Sequence, residues 1–167
     1  RLALPAGKSV YARGELIFFS GVVYDEKCVP IAGASIELWQ TNTEGKYRYS
    51  DTGELLSPDP SFSGSGKAIS NNLGEFQFLT VFPGPYANRA PHLHIRVTHE
   101  EFPTLYTEVF FEGDRRNDRD PKLRAMKGNL KSRLLAVVND LPHYPGQPSL
   151  LAHYDIVLRG KNKFEQF

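Results

Sequence analysis

The chain has 167 residues, with 20 Lys and Arg against 19 Asp and Glu. That length suits one domain spanning 1–167 with a proper core, and so even a charge balance, with basic residues spread along the chain, argues against a nucleic-acid partner. The single cysteine, Cys28, excludes an internal disulfide framework and a cysteine-based zinc site. No apolar run nears the roughly 20 residues of a membrane-spanning helix, so no membrane partner is expected.

The N-terminal half is punctuated like an all-β protein. "ELIFFSGVVYD" (15–25) is rich in β-branched and aromatic residues and stops at the polar turn "DEKC". In "ASIELWQTN" (34–42), Ile36, Leu38 and Gln40 face one way and Ser35, Glu37 and Trp39 the other. "GEFQFLTVF" (74–82) follows an "NNLG" turn, with Phe76 and Phe78 opposed to Gln77. Further strands are expected over "HLHIRV" (92–97), "LYTEVFFEGD" (105–114) and "AHYDIVLRG" (152–160). Short strands separated by Gly, Pro and Asn turns predict a β-sandwich or barrel.

One segment departs from this pattern. In residues 120–140, Leu123, Met126, Leu130, Leu134 and Val137 recur three or four apart, which predicts one short helix near 121–139. Asp120 suits its N-cap and Pro121 its first position, while Gly128 weakens the middle. The stretch 112–120 reads as a charged loop, solvated or bordering a pocket, and 141–148 as a loop within the domain. Trp39 is expected to pack in or near the core. Cys28 sits in a turn with no partner to make it reactive.

The chemistry concentrates in "PGPYANRAPHLHIRV" (83–97). Residues two apart on a strand share a face, so His92 and His94 point together, with Arg96 beyond them, while Leu93, Ile95 and Val97 turn to the core. Alone, His-x-His is a weak signal, better explained by two hydrogen-bonded strand histidines than by a metal site. Tyr86 lies in the turn that delivers the chain to this strand, and Tyr47 ends the polar stretch after Trp39. Phenolate oxygens with imidazole nitrogens suit trivalent iron better than a soft or divalent ion, and four such donors leave open positions. A copper or zinc β-sandwich would want further histidines, and His99, His143 and His153 lack the spacing for it. A non-catalytic prealbumin-like binding or adhesion module would need none of the four.

The segments "GELIFFSGVVYD", "VPIAGASIELWQTNTEGKY", "PGPYANRAPHLHIRV", "FFEGD" and "YDIVLRG" together resemble the intradiol ring-cleavage dioxygenases. That family includes protocatechuate 3,4-dioxygenase and catechol 1,2-dioxygenase. The likeness runs from about Gly14 to Gly160. It implies an all-β, prealbumin-like antiparallel sandwich and a non-haem Fe(III) cofactor, with no flavin, pterin or nicotinamide. It further implies that the iron ligands are Tyr47 and His92 (equatorial) and Tyr86 and His94 (axial). Its implied substrates are dioxygen and a catechol, cleaved between the hydroxylated carbons to a cis,cis-muconate-type product. By the same likeness, Tyr86 leaves with a substrate proton when catechol chelates the iron, and Arg89 steadies the anion that develops on the substrate.

The sequence departs from the family pattern in three places. The usual Arg-Pro-x-His becomes Arg89-Ala90-Pro91-His92, and only two residues separate Tyr86 from Arg89, as in a compact branch with a more open pocket. Glu108 stands where protocatechuate enzymes carry a glutamine near the iron; it is either a hydrogen-bonded surface residue or, the favoured reading, a candidate substrate-binding residue beside Arg89 that alters substrate charge preference. No N-terminal helical extension of the kind that dimerises catechol 1,2-dioxygenases is present, so a monomer or a different homo-oligomer is expected. A chain beginning at Arg1 leans toward a processed, secreted or periplasmic protein rather than a cytoplasmic one.

Overall fold

The computed structural model describes residues 1–56 and 59–161. Nine strands dominate: β1 (Leu16–Asp25), β2 (Ser35–Trp39), β3 (Ser65–Ile69), β4 (Glu75–Val81), β5 (His92–His99), β6 (Phe102–Phe111), β7 (Leu135–Asp140), β8 (Leu150–His153) and β9 (Ile156–Leu158). Pairing runs β3-β2-β5-β6-β7-β8-β1-β4, with β9 added against β1. The β3-β2-β5-β6 half and the β8-β1-β4 half share one core. Ile17, Phe19, Phe76 and Phe78 from one half join Ile36, Leu38, Leu93, Ile95 and Val97 from the other in it. Most pairs are antiparallel, as expected, but β1 runs parallel to both β8 and β9, and β6 parallel to β7.

The predicted alternation holds where one face is buried. Ile36 and Leu38 are buried between half-exposed Ser35, Glu37 and Trp39, and Phe76 and Phe78 are buried around exposed Gln77. The 121–139 segment is different. It contains two separate helical turns, α1 (Pro121–Ala125) and α2 (Asn129–Ser132), followed by strand β7. Gly128 breaks the helix at φ 57°, ψ −130°, a conformation no helix continues through. Of the periodic positions, Leu123 is buried, but Leu130 and Val137 face solvent, so no continuous apolar stripe exists. The Val137-Val138 pair, β-branched, joins the sheet instead. The predicted last strand is likewise two, β8 and β9, interrupted at Tyr154 and Asp155.

The part of the fold that carries the chemistry is the outward face of β2-β5-β6. Register sets Trp39, His94 and Glu108 side by side across these three strands. Two loops close over this row. The loop after β2 and the loop after β4 are tied by Gly84 N–H donating to Asn42 O (2.8 Å) and by Thr41 Oγ1 donating to Gly84 O (2.9 Å). Gly45, at φ 79°, lets them touch: a Cβ there would collide with the Pro85 carbonyl oxygen.

Candidate metal centre and active site

The loop contact places the two tyrosines together. Tyr47 and Tyr86 pack edge to face, ring centroids 5.1 Å apart at 70°. The Tyr47 hydroxyl lies 2.8 Å from His94 Nε2, and His94 Nε2 lies 3.2 Å from His92 Nε2. Two donors bound side by side to one ion at about 2 Å stand about 3 Å apart, so this spacing fits a shared metal as well as a hydrogen-bond chain. His92 is buried, and its Nδ1 lies 2.7 Å from the Ala90 carbonyl oxygen. That carbonyl can only accept, so Nδ1 carries the proton and the Nε2 lone pair is turned toward His94 and Tyr47.

The surroundings hold these side chains in place. Trp39 stacks flat on the His94 imidazole, centroids 5.1 Å apart at 3°. The expectation that Trp39 packs with the core is thus corrected: its strand face is that of His94, and it walls the site. Phe110 packs under His92 at 5.4 Å and under the Arg89 guanidinium at 5.8 Å. Arg89 Nη2 donates to Glu108 Oε2 at 2.6 Å and Nε to Asp120 Oδ2 at 2.9 Å. Lys122 Nζ adds a second cation 3.4 Å from Glu108 Oε2. Tyr86 is 49% exposed, in a turn closed by Arg89 N–H donating to Tyr86 O, with Ala87 at a positive φ of 52°.

The electrostatics suit a site whose donors deprotonate only for a metal. Burial, reinforced by the Glu108 charge, pushes the Tyr47 phenol up to about 12. Burial, with His92 alongside, pulls the His94 imidazole down to about 4, so it is a neutral donor at any ordinary pH. Burial opposes the charge on Glu108, but the hydrogen bond from Arg89 and the neighbouring His92 outweigh it and hold the carboxyl below its usual range.

His92, His94 and Glu108 offer ligand atoms within 4.8 Å of one another, so a two-histidine, one-carboxylate set is also conceivable on distance alone. The directions decide against it. Glu108 faces Nδ1 of His94, at 4.0 Å, whereas the Nε2 atoms of both histidines face each other and Tyr47. An ion shared by both imidazoles through Nε2 would therefore face Tyr47 rather than Glu108. The remaining histidines are occupied or remote: His99 Nε2 meets the Ala32 carbonyl at 3.1 Å, His153 pairs with Asp155 at 2.8 Å, and His143 is exposed in the 141–148 loop. Two imidazoles and two phenols fit trivalent iron.

The structure thus brings all six sequence-predicted residues, Tyr47, Tyr86, Arg89, His92, His94 and Glu108, into one cluster. Asp120 was legible only as a helix cap. It is fully buried and accepts from Lys122 and Leu123 N–H, as a cap should, but its other oxygen faces Arg89. The charged stretch 112–120 is thus exposed over most of its length and borders the site at its end, as one of its two readings allowed.

A dioxygenase family model matches residues 6–160. The chain belongs to the intradiol ring-cleavage dioxygenase family. It is 31% identical over 157 residues to the protocatechuate 3,4-dioxygenase beta chain of Burkholderia cepacia, covering 89% of this chain and 66% of that one. Among solved structures, it superposes on the dioxygenase domain of a dioxygenase carbohydrate-binding protein fusion from Streptomyces sp. SirexAA-E. That match has TM-score 0.71 and 26% identity, over 95% of this chain and 87% of the other. It also shares the fold of 3-chlorocatechol 1,2-dioxygenase from Rhodococcus opacus 1CP, with TM-score 0.72 and 24% identity, over 89% and 61% of the two chains. The chain spans from 50% to 67% of the length of its first curated relatives. All-β architecture and family membership are both as the sequence implied.

Proposed function

We propose that this chain is a non-haem Fe(III)-dependent dioxygenase that opens catechol-type rings between the hydroxylated carbons, giving cis,cis-muconate-type products. The observation that carries this reading is that Tyr47 Oη and His92 Nε2 both approach His94 Nε2, at 2.8 and 3.2 Å, with the Tyr86 ring against Tyr47. Tyr47, Tyr86, His92 and His94 would hold the iron. Bound iron would supply the Lewis acidity that makes a catecholate reactive toward dioxygen. The protein residues then divide the remaining work. Tyr86, half exposed on a short turn, is the ligand free to swing out, and its phenolate takes a substrate proton as it goes. Arg89 keeps a fixed positive charge beside the site to stabilise the substrate anion. His92 and His94, pinned by Ala90 and Trp39, keep their donor atoms aimed.

Iron stoichiometry, visible absorption and dioxygen uptake across a panel of catechols test this. Iron-loaded protein is expected to be coloured by phenolate-to-iron charge transfer, with the band moving when catechol is added without dioxygen. A colourless protein with full iron occupancy counts against the four-ligand set.

Charge at the site bears on substrate choice. Glu108 is paired with Arg89 and Lys122, and Asp120 with Arg89 as well, so the two cations and two carboxylates of this cluster balance one another. Glu108→Gln removes one negative charge and frees part of Arg89 and Lys122. The ratio of kcat/KM for protocatechuate over catechol is expected to rise roughly tenfold, the scale of one partly screened charge interaction near a protein surface. An unchanged ratio would put Glu108 out of the substrate's reach.

A further inference from the structure

Asp120 is a carboxylate with no solvent contact, four donors and no part in the chemistry proposed above. We infer that Asp120 is a positioning residue, fixing the orientation of Arg89 directly and that of His92 through the backbone of Ala90. The inference rests on the functional reading only for the roles of Arg89 and His92.

Local sequence puts it there. Leu123 on α1 docks into a small cluster with Ala90 and Phe110, the residues beneath Arg89 and His92. The Asp120-Pro121 start of that helical turn is thereby carried to the site. Asp120 then divides its two oxygens. Oδ1 accepts from Lys122 N–H (2.9 Å) and Leu123 N–H (3.2 Å), which caps the turn. Oδ2 accepts from Arg89 Nε (2.9 Å) and Ala90 N–H (2.8 Å), which has nothing to do with capping.

The Oδ2 pair ties the site together. Arg89 is gripped at Nε by Asp120 and at Nη2 by Glu108, so its planar fork is held in one orientation, with no hydrogen-bond partner of Nη1 among the described residues. Ala90, held at its N–H by Asp120, offers its carbonyl to His92 Nδ1 at 2.7 Å. One buried carboxylate therefore governs both the cation and the tautomer of an imidazole two residues farther on.

The position of the proline makes this possible. In this chain Pro91 follows Ala90, so residue 90 keeps an N–H to donate. A proline at 90, as in Arg-Pro-x-His, would have none, and Asp120 would lose that donor. The one-residue shift noted in the sequence and the buried aspartate are two parts of one arrangement.

Asp120→Asn is the informative change. Asparagine caps a helix about as well as aspartate, but with its oxygen kept on the capping side, its NH2 group would oppose the Arg89 and Ala90 donors. In the iron-loaded enzyme, kcat for catechol is expected to fall about ten- to a hundredfold with KM little changed. In the metal-free protein, the His92 Nδ1–H proton, followed by NMR, is expected to exchange with water at least about tenfold faster once its acceptor is loosened. In the Arg89→Lys background, the same substitution should cost clearly less than in wild type, because the two act as one unit.

Ala90→Pro provides a second route if Asp120→Asn does not fold. It deletes one donor, leaves the Asp120–Arg89 contact, and is expected to release the same His92 proton. Wild-type kcat in Asp120→Asn, or losses that simply multiply with Arg89→Lys, would overturn the inference, as would an unchanged His92 signal in either variant. The NMR result needs no metal, so it stands apart from the functional reading. That reading falls instead if the wild-type protein takes up no iron or consumes no dioxygen with any catechol.

Discussion

Arg89→Ala is expected to reduce turnover of catechol by roughly a hundredfold or more while the protein retains its iron and its colour. The structure sharpens the reason. Arg89 sits over Phe110 with its side chain only 23% exposed, clamped by two carboxylates, one of them wholly buried. Burial works against its charge, but Glu108 and Asp120 more than restore it, so it is a permanent cation held in place. A charge already oriented before reaction costs no rearrangement when the substrate becomes anionic, which is where such groups are worth most.

The substitution also has a structural cost. Glu108 would keep Lys122 as a counter-charge, and Asp120 would keep three backbone donors, so neither is abandoned. The loss is therefore expected at about 2 kcal/mol, below the range for a buried pair left with no partner. Arg89→Lys keeps the charge but cannot fork between Asp120 and Glu108. It should recover most of the stability and only part of the turnover. Thermal unfolding and steady-state kinetics on both variants separate these effects. Iron lost together with turnover would mean that Arg89 holds the centre together and does not act on substrate.

The parts legible in the sequence were those with a local signature. Alternation in 92–97 assigned Leu93, Ile95 and Val97 to the core and His92 and His94 to the other face, and all three apolar residues are fully buried. Strand β3 has no such signature. "SGKAI" contains glycine and lysine and exists as an edge strand because β2 offers it an unpaired side. In 121–139, the helical spacing of apolar residues was real but coincidental: a glycine in a left-handed conformation and two adjacent valines outweighed it. Asp120 was hidden for another reason. Its capping role explained it completely at the local level, and its contact with Arg89 lies 31 residues away in sequence. Trp39 shows the converse, since alternation had already put it opposite Ile36 and Leu38, and only the β2–β5 register pairs it with His94.

Tyr47→Phe and Tyr86→Phe are expected to fail in different ways, although each removes one phenol. Tyr47 is partly buried, points its hydroxyl at His94 Nε2, and is locked by the Gly45–Pro85 loop contact. With its phenol pushed to about 12, metal uptake must expel that proton. Iron affinity at Tyr47 should therefore strengthen as pH rises through the neutral range. His94, already neutral above about 4, should add no such dependence there. Tyr47→Phe should lower iron affinity at least about a hundredfold and flatten the pH dependence by about one proton. Tyr86 is half exposed on a short turn, so its loss should leave Tyr47, His92 and His94 holding the metal. Tyr86→Phe should keep iron and still bind catechol, but without a departing base it should form the chelated complex at least about tenfold more slowly. Anaerobic stopped-flow mixing with catechol reads that step alone. A wild-type chelation rate in Tyr86→Phe would remove the departing-base role even with Tyr86 retained as a ligand, and equal iron loss in the two variants would remove the distinction between them.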